Sequence, residues 1–145
     1  MIKNITKKFN LNLFNENDKI SKIKVIEYFQ NEGIELIENP DQYGIDLLNI
    51  EDNIIKMGFE VEHRFNWSGL IFPYTTINVP YRKTKFLSDN YKTYYCALNK
   101  EFTMLFLLDM DKLKSCNIKE NKNKYINNGE MFYSVPINLG EFIHI

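Results

Sequence analysis

The sequence predicts a single mixed α/β domain that spans residues 1–145 and is built on one β-sheet. A chain of 145 residues has room for one hydrophobic core. Hydrophobic residues make up 44% and charged residues 26%, which is ordinary for a globular protein and too apolar for a disordered chain. The predicted order of elements is helix, three strands, helix, two strands and helix, with no linker between two halves.

The first half of the chain is predicted to hold one helix and a β-hairpin. Apolar residues recur at three-residue spacing from Ile20 to Phe29, which predicts an amphipathic helix that begins at Asn17 or Asp18 and ends at Gly33. The predicted strands are Ile34–Glu38, Ile45–Ile50 and Ile54–Arg64. The last two are close enough in sequence to pair as a hairpin.

The second half is predicted to add strands and short helices. The predicted strands are Ile77–Val79, Tyr94–Leu98 and Thr103–Leu108, with edge strands at Met131–Pro136 and Phe142–Ile145. Short helical segments are predicted at Arg82–Leu87 and Asp109–Cys116. Thr103–Leu108 is almost wholly apolar, which favours a central place in the sheet. The polar segment Ile118–Asn128 is predicted to be a surface loop, and Met1–Leu13 a lead-in strand or arm.

Composition excludes several classes of function. The longest apolar run, Met104–Leu108, is far shorter than the roughly 18 residues of a membrane span. No signal-peptide core follows Met1, so we expect a cytoplasmic protein without a membrane partner. The two cysteines have no neighbours at zinc-ligand spacing, and Cys96 is predicted to be a buried structural thiol. Neither a nucleophile elbow nor a phosphate-binding glycine loop is present. Abundant Asn, Ile and Lys indicate an AT-rich genome, which fits a phage or mobile element.

Acidic residues are concentrated on the predicted hairpin. Asp46 begins one apolar strand, and Glu60 and Glu62 alternate with apolar residues on the next, so strand periodicity places both glutamates on one face. If the two strands pair as a hairpin, Asp46 and Glu60 face each other within about two residues of register. Repulsion between such close carboxylates must be relieved by protonation, by a basic neighbour or by a metal. A hard divalent ion such as Mg²⁺ is the natural partner.

This arrangement resembles the PD-(D/E)XK nuclease superfamily, which includes restriction endonucleases and many phage and repair nucleases. In its signature an Asp begins one strand and an acidic residue, any residue and a Lys follow on the neighbouring strand, after a helix that bears a Glu. Asp46 and Glu60 match the acidic positions, Glu62 stands at the Lys position, and Glu27 matches the helical Glu. The resemblance covers about Ile20–Leu108 and implies a restriction-endonuclease-like mixed β-sheet flanked by helices.

The resemblance also implies an activity, metal-dependent endonucleolytic hydrolysis of DNA phosphodiester bonds. Asp46, Glu60 and the carbonyl of Val61 are then expected to hold Mg²⁺, for which Mn²⁺ can substitute. Glu62 is expected to orient the attacking water, act as a base or hold a second ion. Lys83 is the candidate to supply the positive charge that the Lys position lacks.

The expected partner is DNA, double-stranded or branched, and two cuts on a duplex favour a homodimer. The net charge of −1 argues against binding by bulk charge, but it averages over two unlike segments. Residues 35–62 contain eight acidic residues and one Lys, whereas residues 63–100 contain six Lys or Arg and one Asp. The candidate DNA-binding residues are Arg64, Trp67, Arg82, Lys83 and Lys85.

Several alternatives stay open. Asp41 follows Pro40 and reproduces the letters of the family name, although it lies in a predicted turn. The register could also shift so that Glu62 and Arg64 take the acidic and Lys positions. The acidic strand could be merely a solvated surface. Because Glu62 replaces Lys, the chain could instead be a noncatalytic nuclease-fold protein that binds nucleic acid or a protein partner, or a small accessory protein of a phage.

Overall fold

The computed structural model describes residues 11–123 and 126–145 and shows a mixed α/β protein. The helix α1 spans Leu11–Asn31. The strands are β1 (Ile37–Glu38), β2 (Leu47–Glu51), β3 (Ile54–His63), β4 (Thr76–Pro80), β5 (Lys92–Leu98), β6 (Met104–Asp109), β7 (Asn117–Asn123), β8 (Ile126–Pro136) and β9 (Glu141–His144). Short 3₁₀ helices lie at Tyr81–Phe86, Met110–Ser115 and Ile137–Leu139. The described part of the chain contains no helix long and apolar enough to cross a bilayer.

A six-stranded mixed sheet forms the centre, in the order β1-β2-β3-β5-β6-β9. In this sheet β3 and β5 pair in parallel, and the other neighbouring strands pair antiparallel. The predicted hairpin is confirmed: β2 and β3 pair around a tight turn in which Asp52 and Asn53 have φ of 52° and 63°. Two successive positive φ values match the twist of paired strands. The position of β9 at the sheet edge is also as predicted.

Helix α1 covers one face of this sheet. Val25 and Phe29, four residues apart, pack against Phe59 and Val61 of β3. The apolar face predicted from the three-residue spacing is not the face that packs on the sheet, since Ile23 is 43% exposed. The buried residues of the helix recur instead at four-residue spacing. The helix already runs from Leu11, so the predicted start at Asn17 or Asp18 is wrong; residues 1–10 of the predicted lead-in arm lie outside the described residues.

A second sheet covers the opposite face, so the prediction of one sheet is wrong. It has three strands in the order β4-β8-β7. Its Val79 and Tyr133 pack with Trp67, Tyr95 and Phe106 in a second apolar core. The segment predicted to be a loop forms most of β7 and the start of β8, and the predicted edge strand at the end of β8 is central in this sheet. The sequence pattern does not reveal β7 because its residues 117–120 are exposed and need no alternation of apolar and polar residues. Backbone hydrogen bonds to β8 hold the strand in place.

Candidate active site

The predicted acidic residues converge on one cavity of about 200 Å³ beside the start of β2 and the end of β3. Its lining residues are Asn17, Asp18, Asp46, Glu60, Val61, Glu62, His63, Phe65, Arg82 and Lys83. They come from α1, from the β2–β3 hairpin, and from the 3₁₀ helix between β4 and β5. The structure therefore brings together Asp46, Glu60, Glu62 and Lys83 from distant parts of the sequence.

Asp46 and Glu60 lie directly opposite each other across the hairpin. Leu47 pairs with Phe59, and one further step places Asp46 beside Glu60. The amide N–H of Asp46 donates to Glu60 Oε1 at 3.3 Å, and the amide N–H of Val61 donates to Asp46 Oδ2 at 2.8 Å. The backbone of each strand thus fixes the carboxylate that the other strand carries. The Val61 side chain packs in the α1 core, so Val61 offers its backbone to the cavity.

Glu60 is almost completely buried, and its partner is Lys83. The Glu60 side chain is 6% exposed and that of Lys83 12% exposed, and Lys83 Nζ donates to Glu60 Oε2. Burial raises the pKa of Glu60 to about 7; Lys83 opposes this rise and Asp46 adds to it. A carboxylate with this pKa changes protonation state at neutral pH, as acid–base groups in active sites commonly do.

The helix contributes Lys22, which the sequence analysis missed. Lys22 Nζ lies 3.7 Å from Asp46 Oδ1 and 3.3 Å from Asp18 Oδ2. Partial burial opposes the charge on Lys22, but Asp18 and Asp46 raise its pKa overall. The Asp18–Lys22 spacing of four residues was the available signal. Glu27 is exposed and does not line the cavity, because it lies about 140° around the helix from Lys22. The structure therefore does not bring Glu27 together with the other predicted site residues.

Glu62 is held in one orientation by a partly buried network of hydrogen bonds. The Tyr95 hydroxyl donates to Glu62 Oε1, and Arg64 Nη2 lies 3.3 Å from the same oxygen. Arg64 Nη2 also donates to the Tyr95 hydroxyl at 2.7 Å and to the backbone carbonyl of Asn78 on β4. Tyr95 is fully buried, and this burial raises its pKa, so the phenol stays protonated and donates to Glu62. Arg64 therefore ties the two sheets together and is not free to contact DNA.

The other predicted DNA-binding residues take different positions. Trp67 is completely buried and packs edge-on against Phe72 with ring centroids 5.4 Å apart, so its predicted role in stacking on bases is wrong. Lys85 lies over the Phe86 ring and lines a different cavity, which contains Asp41 but neither Asp46 nor Glu60. Arg82 is on the rim of the site, where its exposed side chain pairs with Glu130 at 2.6 Å.

The donor set of the cavity suits Mg²⁺ in its usual form, with one or two carboxylates and several waters. Asp46 and Glu60 are the two carboxylates, and Lys83 would have to leave Glu60 for an ion to bind there. Within residues 11–123 and 126–145, no group of three or more acidic, His or Cys side chains is arranged to hold a metal ion.

Comparison of the chain with protein-family models, with curated proteins and with solved structures found no match.

Proposed function

We propose that the chain is a metal-dependent endonuclease that hydrolyses DNA phosphodiester bonds on a restriction-endonuclease-like fold. The observation that carries the proposal is the convergence of Asp46, Glu60 and Lys83 in one cavity. Paired carboxylates with a nearby ammonium group are the parts that phosphodiester hydrolysis needs. The mixed sheet, with the acidic residues at the start of one strand and along its neighbour, supports the same interpretation.

Each residue has a distinct role in this proposal. Asp46 and Glu60 would hold Mg²⁺ or Mn²⁺, and the ion would supply Lewis-acid chemistry for the hydrolysis. Lys83, released from Glu60, balances the charge that develops on the phosphate. Glu62, fixed by Tyr95, orients the attacking water. The proposed substrate is double-stranded or branched DNA, and a homodimer would cut both strands of a duplex.

A nicking assay with plasmid, linear, branched and single-stranded DNA tests this function. We expect cleavage that requires Mg²⁺ or Mn²⁺ and that falls at least about 100-fold in Asp46→Asn, since one of two metal-binding carboxylates is lost. Asp41→Asn is the matched control, because Asp41 is exposed in a turn outside the cavity. Cleavage that survives Asp46→Asn, or that is lost in Asp41→Asn, would contradict the assignment of the site.

The second candidate is a noncatalytic protein of the same fold that binds nucleic acid or a protein partner. It is favoured because each carboxylate of the site already forms an ion pair with a Lys or Arg of the protein. The pairs are Asp46 with Lys22, Glu60 with Lys83, and Glu62 with Arg64. Such pairs satisfy the acidic residues without an ion. Binding to DNA with no cleavage of any of the four substrates would favour this candidate.

A further inference from the structure

A row of adjacent cavities, which we call the groove, leads from the candidate active site to a larger cavity that the proposed chemistry does not use. The active-site cavity shares Glu62 and Arg82 with a neighbouring cavity of about 290 Å³. That cavity in turn shares Arg64 and Asn78 with a third, of about 410 Å³. Because each neighbouring pair has lining residues in common, the three cavities lie side by side, and we call the third the end cavity.

The floor of the groove is the outer face of β4. Ile77 and Val79 point into the core between the sheets, so the strand period turns Thr76, Asn78 and Pro80 outward. The distance from Pro80 to Thr76 is about 13 Å at a rise of about 3.3 Å per residue. A stacked nucleic-acid strand rises about 3.4 Å per nucleotide, so this length suits a few nucleotides.

The end cavity combines aromatic rings with neutral hydrogen-bonding groups. Its lining residues are Arg64, Asn66, Phe72, Tyr74, Thr75, Thr76 and Asn78. Tyr74 is 58% exposed, and its ring meets Phe72 edge-on at a centroid distance of 5.7 Å. Arg64 is the only charged residue among these lining residues, and its guanidinium is committed to Glu62 and Tyr95. This chemistry suits a nucleobase, which has a flat face and a polar edge, better than a phosphate.

We propose that the end cavity binds an unpaired nucleobase of the strand whose phosphate occupies the candidate active site. The inference rests on the proposed function, because the groove leads from that site. Tyr74 stacks on the base, and the side-chain amides of Asn66 and Asn78 bind its polar edge. Arg82 lies between the two sites and exchanges its ion pair with Glu130 for an intervening phosphate. The substrate therefore carries a single-stranded segment beside the cleaved bond.

Trp67 provides a direct readout of the end cavity. It is the single tryptophan of the chain, and its ring contacts Phe72, which lines the cavity. A base that binds against Phe72 should therefore change Trp67 fluorescence. The experiment titrates the protein with pentathymidylate in Ca²⁺ instead of Mg²⁺. We expect a saturable change in emission, and no change with an abasic pentamer that carries the same phosphates.

Tyr74→Ala tests the stacking residue. We expect its affinity for pentathymidylate to fall on the order of tenfold, since stacking on an aromatic side chain contributes about that much per base. Tyr43→Ala is the matched control, because Tyr43 is 79% exposed and lines a different cavity. Far-ultraviolet circular dichroism and Tm show whether both variants fold. Unchanged affinity in a folded Tyr74→Ala, equal binding of the abasic pentamer, or the same Trp67 signal from a short aromatic peptide would overturn the proposal.

Asp46→Asn separates this proposal from the endonuclease itself. If the wild type cleaves DNA and the variant loses cleavage but keeps pentathymidylate binding, both proposals are supported. If the wild type binds the pentamer in a Tyr74-dependent way and cleaves nothing, the base site stands and the endonuclease is overturned. If the wild type cleaves DNA and Tyr74→Ala binds the pentamer as the wild type does, the base site alone is overturned.

Discussion

At the scale of single residues, Glu60 is the side chain whose environment matters most. Its carboxylate is buried between Lys83, which favours the charged form, and Asp46, which disfavours it. Burial has the larger effect, and the pKa rises from 4.5 to about 7. Glu60 thus binds a proton in the folded protein at pH values where the unfolded chain has already released it.

This difference predicts how stability depends on pH. Because the folded pKa is raised, the folded state binds more protons between about pH 4.5 and 7, so the free energy of unfolding falls as the pH rises through this window. We expect Glu60→Gln to flatten this slope and so remove a loss of stability on the order of 3 kcal/mol over the whole window. Urea unfolding at pH 5 and pH 8 measures it. Glu51→Gln, which changes an exposed carboxylate, is the control and should keep the wild-type slope. Identical slopes in the wild type and Glu60→Gln would contradict the prediction.

The same residue predicts how metal binding depends on pH. A protonated Glu60 is a poor ligand, so the affinity for Mn²⁺ should increase as the pH rises through about 7. Isothermal titration calorimetry between pH 6 and 8 measures this affinity without any substrate. Affinity that stays constant over this range, or that survives in Asp46→Asn, would show that the ion binds elsewhere.

At the scale of secondary structure, the β2–β3 hairpin aligns the site. Its register places Asp46 opposite Glu60, and a shift of one residue would turn one of the two carboxylates to the other face of the sheet. The turn residues Asp52 and Asn53 both have positive φ, which Asn and Asp tolerate and most other residues do not. The turn sets the pairing of Ile50 with Ile55, and a one-residue register shift between Asn49 and Ile50 then brings Asp46 opposite Glu60 instead of Phe59.

Substitutions in this turn should change stability in opposite directions. We expect Asn53→Gly to raise the free energy of unfolding by about 0.5 kcal/mol and Asn53→Ala to lower it by about 1 kcal/mol, because only glycine adopts positive φ without cost. Denaturant unfolding measures both. Asn90→Ala, at an exposed position without positive φ, should have little effect. Equal destabilisation by Gly and Ala at position 53 would show that the Asn side chain itself holds the turn.

At the scale of the whole molecule, the net charge of −1 hides an uneven distribution. Several of the basic residues that suggested a DNA-binding surface have other roles. Arg64 bridges the two sheets, and Lys85 lies away from the site. Arg82 and Lys83 remain at the cavity, so the surface offers about two cations to a substrate backbone.

The salt dependence of DNA binding should accordingly be shallow. With about two phosphate contacts on a duplex, the slope of log K against log salt is expected to be near −2. Fluorescence anisotropy with a labelled duplex in Ca²⁺ measures this slope. The titrations run from about 50 to about 300 mM salt, the range in which salt strongly affects DNA binding. A slope steeper than about −5 would mean that a wider basic surface binds DNA.

The sequence by itself predicted the hairpin and placed Asp46 within about two residues of Glu60, because strand alternation and turn composition are local properties. The exact pairing of Asp46 with Glu60 depends on a one-residue register shift between Asn49 and Ile50 that the sequence pattern does not show, whereas the 3₁₀ helix that carries Lys83 was predicted. Only the tertiary structure decided which distant side chains meet them. The true buried face of α1 brings Lys22 to the site and leaves Glu27 in solvent, and the second sheet buries Trp67 and engages Arg64. Such contacts depend on the packing of whole elements, which no local pattern of residues specifies.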